Sequence, residues 1–227
     1  MGNSIFVVIP AYNESRAIRS TVEPLIAHGY TVVVVDDHSI DQTCAVLQKL
    51  PVYYLRHPIN LGQGAALQTG MDFALQQEAE FIIHFDADGQ HQAEDILMLL
   101  EPLQCGQADV VIGSRFLRWE DRQEVPTFRQ LFLRVAVLVN WLITGVRLTD
   151  AHNGFRALTR SAAQKIYLRE NRFAHASEIL VQIRHAKLRY VERPTKIVYT
   201  NYSKAKGQSL WNAFNIMVDL LLSRFIR

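Results

Sequence analysis

Apolar residues in the first half of the chain come in short runs, each followed by a stretch where they recur every three or four positions. Short runs rich in Val and Ile read as strands buried on both faces, and the longer recurrence reads as amphipathic helix. Residues 5–9, 31–35, 52–55, 81–85 and 109–112 therefore predict strands, and residues 15–28, 41–50, 63–77 and 93–104 predict the helices between them. Asp41 suits the start of the second helix, while Gly29 and Gly106 fall just past helix ends. This alternation predicts an α/β fold, a mostly parallel, doubly wound sheet with helices on both faces.

Beyond residue 112 the pattern changes. Residues 114–126 are polar and charged without periodicity and read as a mobile loop. Phe128, Leu131, Phe132, Val135, Leu138, Val139, Leu142 and Val146 then recur at helical spacing and make a wide apolar face. Helices near 161–168 and 177–187 follow, then strands near 189–192 and 196–201, and last a helix over 210–226 that is apolar on most sides. A bilayer span needs about 20 predominantly apolar residues. Arg134, Asp219 and Arg224 interrupt the two best candidates, so no crossing is expected. The surplus apolar surface instead predicts an oligomer interface or a helix lying in a membrane surface, with Arg224 and Arg227 suited to anionic headgroups.

A net charge of +2 is too mild to suggest nucleic acid. The basic excess is local, with Arg115, Arg118, Arg122, Arg129 and Arg134 in one segment and Lys196, Lys204 and Lys206 in another. Without the motifs described below, the arginine series would read as a solvated face. Cys44 and Cys105 lack metal-ligand spacing and argue for a reducing compartment. A strand expected from residue 5 leaves no room for a signal peptide, and Phe6 stands where a myristoylation signal needs Ser or Thr. A cytoplasmic chain is expected.

In open α/β sheets, ligands bind beyond the carboxyl ends of the strands. Three polar clusters fall there: Pro10, Tyr12, Asn13 and Glu14 after the first strand, Asp36 and Asp37 after the second, Asp86 and Asp88 after the fourth. Residues two apart on an extended chain share a side, with Cα atoms roughly 6.5 Å apart. Asp86 and Asp88 would then offer hard oxygen ligands to Mg²⁺ or Mn²⁺, an ion that keeps positions open for phosphate oxygens. A lone Asp-x-Asp is usually a pair of loop residues; the convergence of three clusters on one edge is what distinguishes this one. Asp36 suits either a turn cap or, beside Asp37, contact with a nucleotide. Gly62, Gly64 and Gly70 make no dinucleotide fingerprint, because Leu67 stands where the third Gly belongs, and Gly62 and Gly64 read as a turn and helix start. His38, His84 and His175 read as structural or solvated, whereas His91 flanks the acidic motif.

The ordered motifs resemble glycosyltransferase family 2, with its GT-A fold, and within it the dolichyl- or polyprenyl-phosphate sugar synthases. The resemblance rests on Pro10-Ala11-Tyr12-Asn13-Glu14, Asp36-Asp37-His38-Ser39, Asn60-Leu61-Gly62-Gln63-Gly64, Asp86-Ala87-Asp88-Gly89-Gln90 and Gly113-Ser114-Arg115. Arg129 with Arg134, and Asp150 with Gly154-Phe155-Arg156, complete it. It departs from the synthases in two places. Lys204-Ala205-Lys206-Gly207-Gln208-Ser209 stands where they carry an Arg before Gly-Glu-Ser, and the pair of C-terminal membrane helices of many bacterial members is missing. Lys keeps the charge of that Arg but not its bidentate fork.

The resemblance implies a domain over 1–209, with a nucleotide-binding half at 1–113 and an acceptor half at 114–209, followed by an appended helix at 210–227. It implies an inverting, metal-dependent enzyme of cell-wall or related glycan biosynthesis, with Pro10, Tyr12, Asn13, Glu14, Asp36, Asp37, Gly64 and Asp86 on a UDP- or GDP-sugar. Asp86, Asp88 and Gln90 would hold Mg²⁺ or Mn²⁺, and Asp88, Arg115, Arg129, Arg134 and Lys204 would serve catalysis. A polyprenyl phosphate acceptor, already an anion, needs cations and no general base; a hydroxyl acceptor needs a base, for which Asp150 and Glu178 are candidates. The expected partners are that donor and acceptor, a membrane surface or a small membrane-protein anchor, and a second copy of the chain. The alternatives are extension of a cell-surface glycan, a nucleotide-sugar pyrophosphorylase and a non-catalytic scaffold. The pyrophosphorylase wants a Gly-rich, Arg-containing first loop that residues 10–14 do not provide, and the retained Asp86 and Asp88 speak against the scaffold.

Overall fold

The structure, a computed structural model, describes residues 4–117, 137, 140–142, 144–150, 153–170 and 175–198. Five of the expected strands form within a few residues of the anticipated bounds: β1 (Ile5–Ala11), β2 (Thr31–Asp36), β3 (Tyr53–Arg56), β4 (Phe81–His84) and β5 (Val110–Ser114). They alternate with helices α1 (Ile18–Ala27), α2 (Thr43–Leu47), α3 (Gln63–Gln76) and α4 (Ile96–Gln104). Beyond them come β6 (Arg156–Thr159), α5 (Arg160–Ala163), α6 (His175–His185) and β7 (Tyr190–Pro194).

Among the described residues the strands form one seven-stranded sheet in the order β3-β2-β1-β4-β6-β5-β7. All neighbours are parallel except β6, which runs antiparallel to both β4 and β5. Period-two alternation sends Phe6, Val8, Val33, Val35, Ile82, Val110, Ile112 and Leu158 to one face, packed under α3, α5 and α6. Val7, Ile9, Val32, Val34, Ile83, Val111 and Ala157 go to the other, under α1 and α4. Both faces are covered, which is why the strands read as continuous apolar runs.

The chain also differs from its sequence reading. No strand was expected at Arg156–Thr159. Four residues beginning with Arg carry too little periodicity to signal one, and only pairing on both sides makes it a strand. The helix expected over 161–168 stops at Ala163. Gln68 and Gln182 side chains take over the backbone groups of Leu168 and Tyr167 and supply an alternative to helical bonds. Residues 196–198 join no sheet: Lys196 N–H goes to the Asp95 carboxylate at 2.7 Å and Val198 N–H to the Gln90 carbonyl at 2.9 Å. Of the helix expected over 128–146, residues 137, 140–142 and 144 are described and are helical. The helix expected over 210–226 lies outside the described residues. No helix among those described is long and apolar enough to cross a membrane.

Pro10 lies within β1, a central strand, where a missing N–H is normally costly. Val8 C=O accepts Phe85 N–H, so Val8, and with it Pro10 two residues on, turns its backbone polar groups toward β4. Strand β4 ends at His84, opposite Val8, and no ladder partner remains for Pro10 to lack. The sheet opens at that point, and the acidic turn fills the opening.

Candidate active site

Loops after β1 and β2 are knitted together by side chains. Asn13, in the left-handed region at φ 56°, donates its backbone N–H to Ser39 Oγ at 2.9 Å and accepts the Ile40 N–H on Oδ1 at 2.9 Å. Asn tolerates that conformation better than other non-glycine residues. The buried Glu14 donates its N–H to Thr43 Oγ1 at 2.8 Å, while Tyr12 stands 43% exposed at the rim.

Asp36 and Asp37 are both buried, and both carboxylates are engaged by the chain itself. Asp36 accepts Ser39 N–H at 2.8 Å and Tyr54 O–H at 2.9 Å, with the Arg56 guanidinium 3.5 Å away. Asp37 accepts Leu61 N–H at 2.9 Å and His57 Nδ1–H at 2.7 Å on Oδ1, and Gly62 N–H at 2.6 Å on Oδ2. The neutral His57 ring then offers Nε2 to the Thr69 hydroxyl at 3.0 Å. Asp37 thus hangs the 60–62 loop from the end of β2. Gly64, expected on the donor side, is packed inward: a Cβ there would stand 2.1 Å from the Glu170 carbonyl oxygen and 2.9 Å from His175 Cβ.

Past β4 the chain does not stay extended. Strand pairing ends at His84, and a turn through Ala87 and Asp88 is completed by Gly89 at φ 76°. The expectation that Asp86 and Asp88 share one side of an extended chain therefore gives way to two carboxylates on a turn. Asp86 accepts Gln63 Nε2–H on Oδ1 and His91 Nε2–H on Oδ2, each at 3.1 Å. Burial opposes its ionisation, but the His91 hydrogen bond and the nearby Arg156 charge outweigh burial and hold its pKa below the usual range. Asp88 is pushed the other way, first by burial, then by the Asp86 charge, with Glu14 adding to it. Its Oδ1 accepts the Gln90 N–H at 3.0 Å, and among the described residues Oδ2 has no hydrogen-bond donor. A cavity of about 370 Å³ opens beside Asp88, lined also by Arg16, Thr21, His91 and Glu94.

These residues fit a divalent cation. Crowded carboxylates and an amide are hard oxygen donors, and a cation relieves the repulsion that raises the Asp88 pKa. No group of three or more His, Cys, Asp or Glu able to hold a metal occurs among the described residues. An ion would therefore rest on Asp86, Asp88 and Gln90 and take its remaining ligands from phosphate or water.

Behind Asp86 lies a buried polar set. His84 is 1% exposed with neither ring nitrogen hydrogen-bonded, and Arg156, its partner across β4 and β6, leaves Nε unpartnered. Burial, then the Arg156 charge, lowers the His84 pKa to about 3, so the ring is neutral. Burial lowers the Arg156 pKa to about 10 against the attraction of Asp86 and Asp150, so the guanidinium keeps its charge at neutral pH. Because β6 runs backwards, it is the strand's start that reaches the functional edge. Gly154 there lies so close that a Cβ would stand 2.7 Å from Asp86 Oδ2.

On the acceptor side Arg115 forks onto the buried Asp150, Nε to Oδ2 at 2.6 Å and Nη2 to Oδ1 at 2.8 Å. Glu192 accepts the backbone N–H groups of Thr149 and Asp150 and the Thr149 hydroxyl, and burial raises its pKa. Glu178 accepts the N–H groups of Arg169 and Glu170 at 3.0 and 2.9 Å. Arg129, Arg134 and Lys204 lie outside the described residues. The sequence reading passed over Gln63 and His57, and it took Arg156 only as part of a motif. A polar residue next to a Gly-rich turn is the sole hint for Gln63, and His57 has none until β2 and β3 are paired.

Residues 6–167 match the family described as glycosyl transferase family 2. Over 96% of this chain and 95% of its own length, a UDP-N-acetylglucosamine–dolichyl-phosphate N-acetylglucosaminyltransferase of Methanococcus voltae is 31% identical. An uncharacterized protein of Methanocaldococcus jannaschii is 35% identical over 98% of this chain and 93% of its own. Among solved structures, glucosyl-3-phosphoglycerate synthase of Mycobacterium tuberculosis, in complex with Mn²⁺, UDP and glucosyl-3-phosphoglycerate, superposes with a TM-score of 0.68. It is 19% identical and covers 98% of this chain and 80% of its own, which shows a shared fold.

Proposed function

From the premise that this chain belongs to glycosyltransferase family 2, we propose that it moves a sugar from a UDP- or GDP-linked donor onto a polyprenyl phosphate. Transfer inverts the anomeric carbon, needs Mg²⁺ or Mn²⁺ and takes place at the cytoplasmic face of a membrane. The observation that carries the choice of acceptor is the state of the two candidate bases. Asp150 is spent on the Arg115 fork and Glu178 on two backbone N–H groups. A hydroxyl acceptor needs a carboxylate with a lone pair to spare, whereas a phosphate arrives as an anion. The dolichyl-phosphate acceptor in the name of the Methanococcus voltae relative supports the same reading.

Tyr12, Asn13 and Glu14 at the rim, with the loops braced by Asp36 and Asp37, take the nucleotide. Pro10 ends the ladder where the diphosphate enters, and Gly64 contributes by close packing. Asp86, Asp88 and Gln90 would hold a divalent ion, which when bound neutralises charge collecting on the leaving diphosphate. Arg115, oriented by Asp150, positions the acceptor phosphate together with Arg129, Arg134 and Lys204. Apolar surface in the second half seats the chain on the bilayer, on a small membrane protein or against a second copy.

Purified chain is supplied with labelled UDP- and GDP-sugars and either vesicles holding undecaprenyl phosphate or soluble oligosaccharides. Label is expected in a solvent-extractable, mild-acid-labile product, lost in chelator and in Asp88→Asn. Transfer to oligosaccharides alone, or turnover undiminished in chelator, overturns the reading.

A further inference from the structure

Asp86 is gripped by a residue outside its own motif. Gln63 opens α3 and donates Nε2–H to Asp86 Oδ1 at 3.1 Å, while His91 donates to Oδ2 from the other side. A carboxylate only accepts, so the amide must present its nitrogen there. Gly154 closes a third side, where an added Cβ would stand only 2.7 Å from Oδ2. Gln63 is itself held, because Leu61 and Gly62 immediately before it donate their N–H groups to Asp37 at 2.9 and 2.6 Å. One line of bonds thus runs from the end of β2, through residues 61–63, to the acidic turn beyond β4.

We propose that Gln63 is a positioning residue that fixes the orientation of Asp86 for the ion and couples ion binding to the loop hung from Asp37. This rests on the metal-dependent reading above. Without the Gln63 donor, Asp86 keeps one side-chain hydrogen bond, from His91, and its carboxylate gains freedom to turn about a broad terminal torsion. The ion must then freeze that motion when it binds. Loss of an outer-shell partner of this kind typically costs about 10–100-fold in metal affinity.

The test is Gln63→Met, which keeps side-chain length at a half-buried position and removes the donor. Mn²⁺ binding is titrated by the loss of the free-ion paramagnetic resonance signal, with UDP or GDP present, alongside metal-free nucleotide binding and thermal melting. Mn²⁺ affinity is expected to fall about tenfold, with metal-free nucleotide affinity and melting temperature unchanged. Equal Mn²⁺ affinity in variant and wild type overturns the proposal, as does a parallel fall in metal-free nucleotide binding and melting temperature, which would make Gln63 a structural brace. Wild-type chain that binds no Mn²⁺ overturns the metal-dependent reading and this proposal with it, whereas wild-type binding with an unaffected variant overturns this proposal alone.

Discussion

Asp37→Asn separates two roles for a buried carboxylate, contact with a nucleotide and suspension of a loop. In the structure Asp37 takes Leu61 N–H, Gly62 N–H and His57 Nδ1–H at 2.9, 2.6 and 2.7 Å. An asparagine has one acceptor oxygen, so its NH₂ must face either the Gly62 N–H or the donors of Leu61 and His57. The gentler placement loses one hydrogen bond to a charged group, about 1.5–3 kcal/mol, and strands a buried donor at about 1–3 kcal/mol. We expect a loss of about 3–5 kcal/mol, a large part of the roughly 5–15 kcal/mol that holds a domain. Urea unfolding followed by tryptophan fluorescence should show a lower midpoint at unchanged slope, since the buried surface is the same. A loss below about 1 kcal/mol, together with weakened nucleotide binding, would refute the suspension argument and make Asp37 a direct ligand.

Asp41 accepts N–H groups of Ser15 and Thr43 at the start of α2. Burial opposes its ionisation, but these hydrogen bonds prevail and lower its pKa from 3.8 to about 2. A depressed pKa stabilises above the unfolded value and is lost as pH falls through the folded one, so Asp41→Asn should cost about 1 kcal/mol at pH 7, with the gap to wild type closing between about pH 4 and pH 2 in denaturation series. Gly154→Ala would set a methyl 2.7 Å from Asp86 Oδ2 and 3.0 Å from Oδ1, forcing the carboxylate to turn. A misplacement near 1 Å costs on the order of 100-fold in rate, so kcat should fall by about that factor while far-ultraviolet circular dichroism stays native.

The strands that positioned the site were legible because burial on both faces leaves unbroken Val and Ile runs in β1, β2, β4 and β5. Clusters at their carboxyl ends were legible for the same reason, since a run that stops marks an edge. What escaped depends on neighbours distant in sequence. Strand β6 exists because β4 and β5 both pair with it, 72 and more residues away for the Ile83–Ala157 and His84–Arg156 partners. The turn at Asp88 depends on Gly89 adopting φ 76°, which a glycine permits but does not dictate. Asp36 and Asp37 were recognisable as functional-edge carboxylates, but their donors include Tyr54 and Gly62, 18 and 25 residues further on. For Asp150 the sequence left base and arginine partner evenly open, and the Arg115 fork decides for the second.

Arg156 shows why the antiparallel insertion matters to the chemistry. Placing a guanidinium at the start of β6 buries it almost completely, and burial alone pulls its pKa down to about 10. Its Nε has no hydrogen-bond partner, a further cost of about 1–3 kcal/mol. The neighbour directly across the ladder, His84, is held neutral, which avoids a second positive charge at that spot. Only long-range attraction remains to support the cation, and it comes from Asp86 on one side and Asp150 on the other. Asp86 belongs to the acidic turn and Asp150 to the Arg115 fork. One buried charge therefore serves carboxylates from both halves of the site. A parallel strand in this position would deliver its far end to the edge, and Arg156 would sit at the opposite side of the sheet.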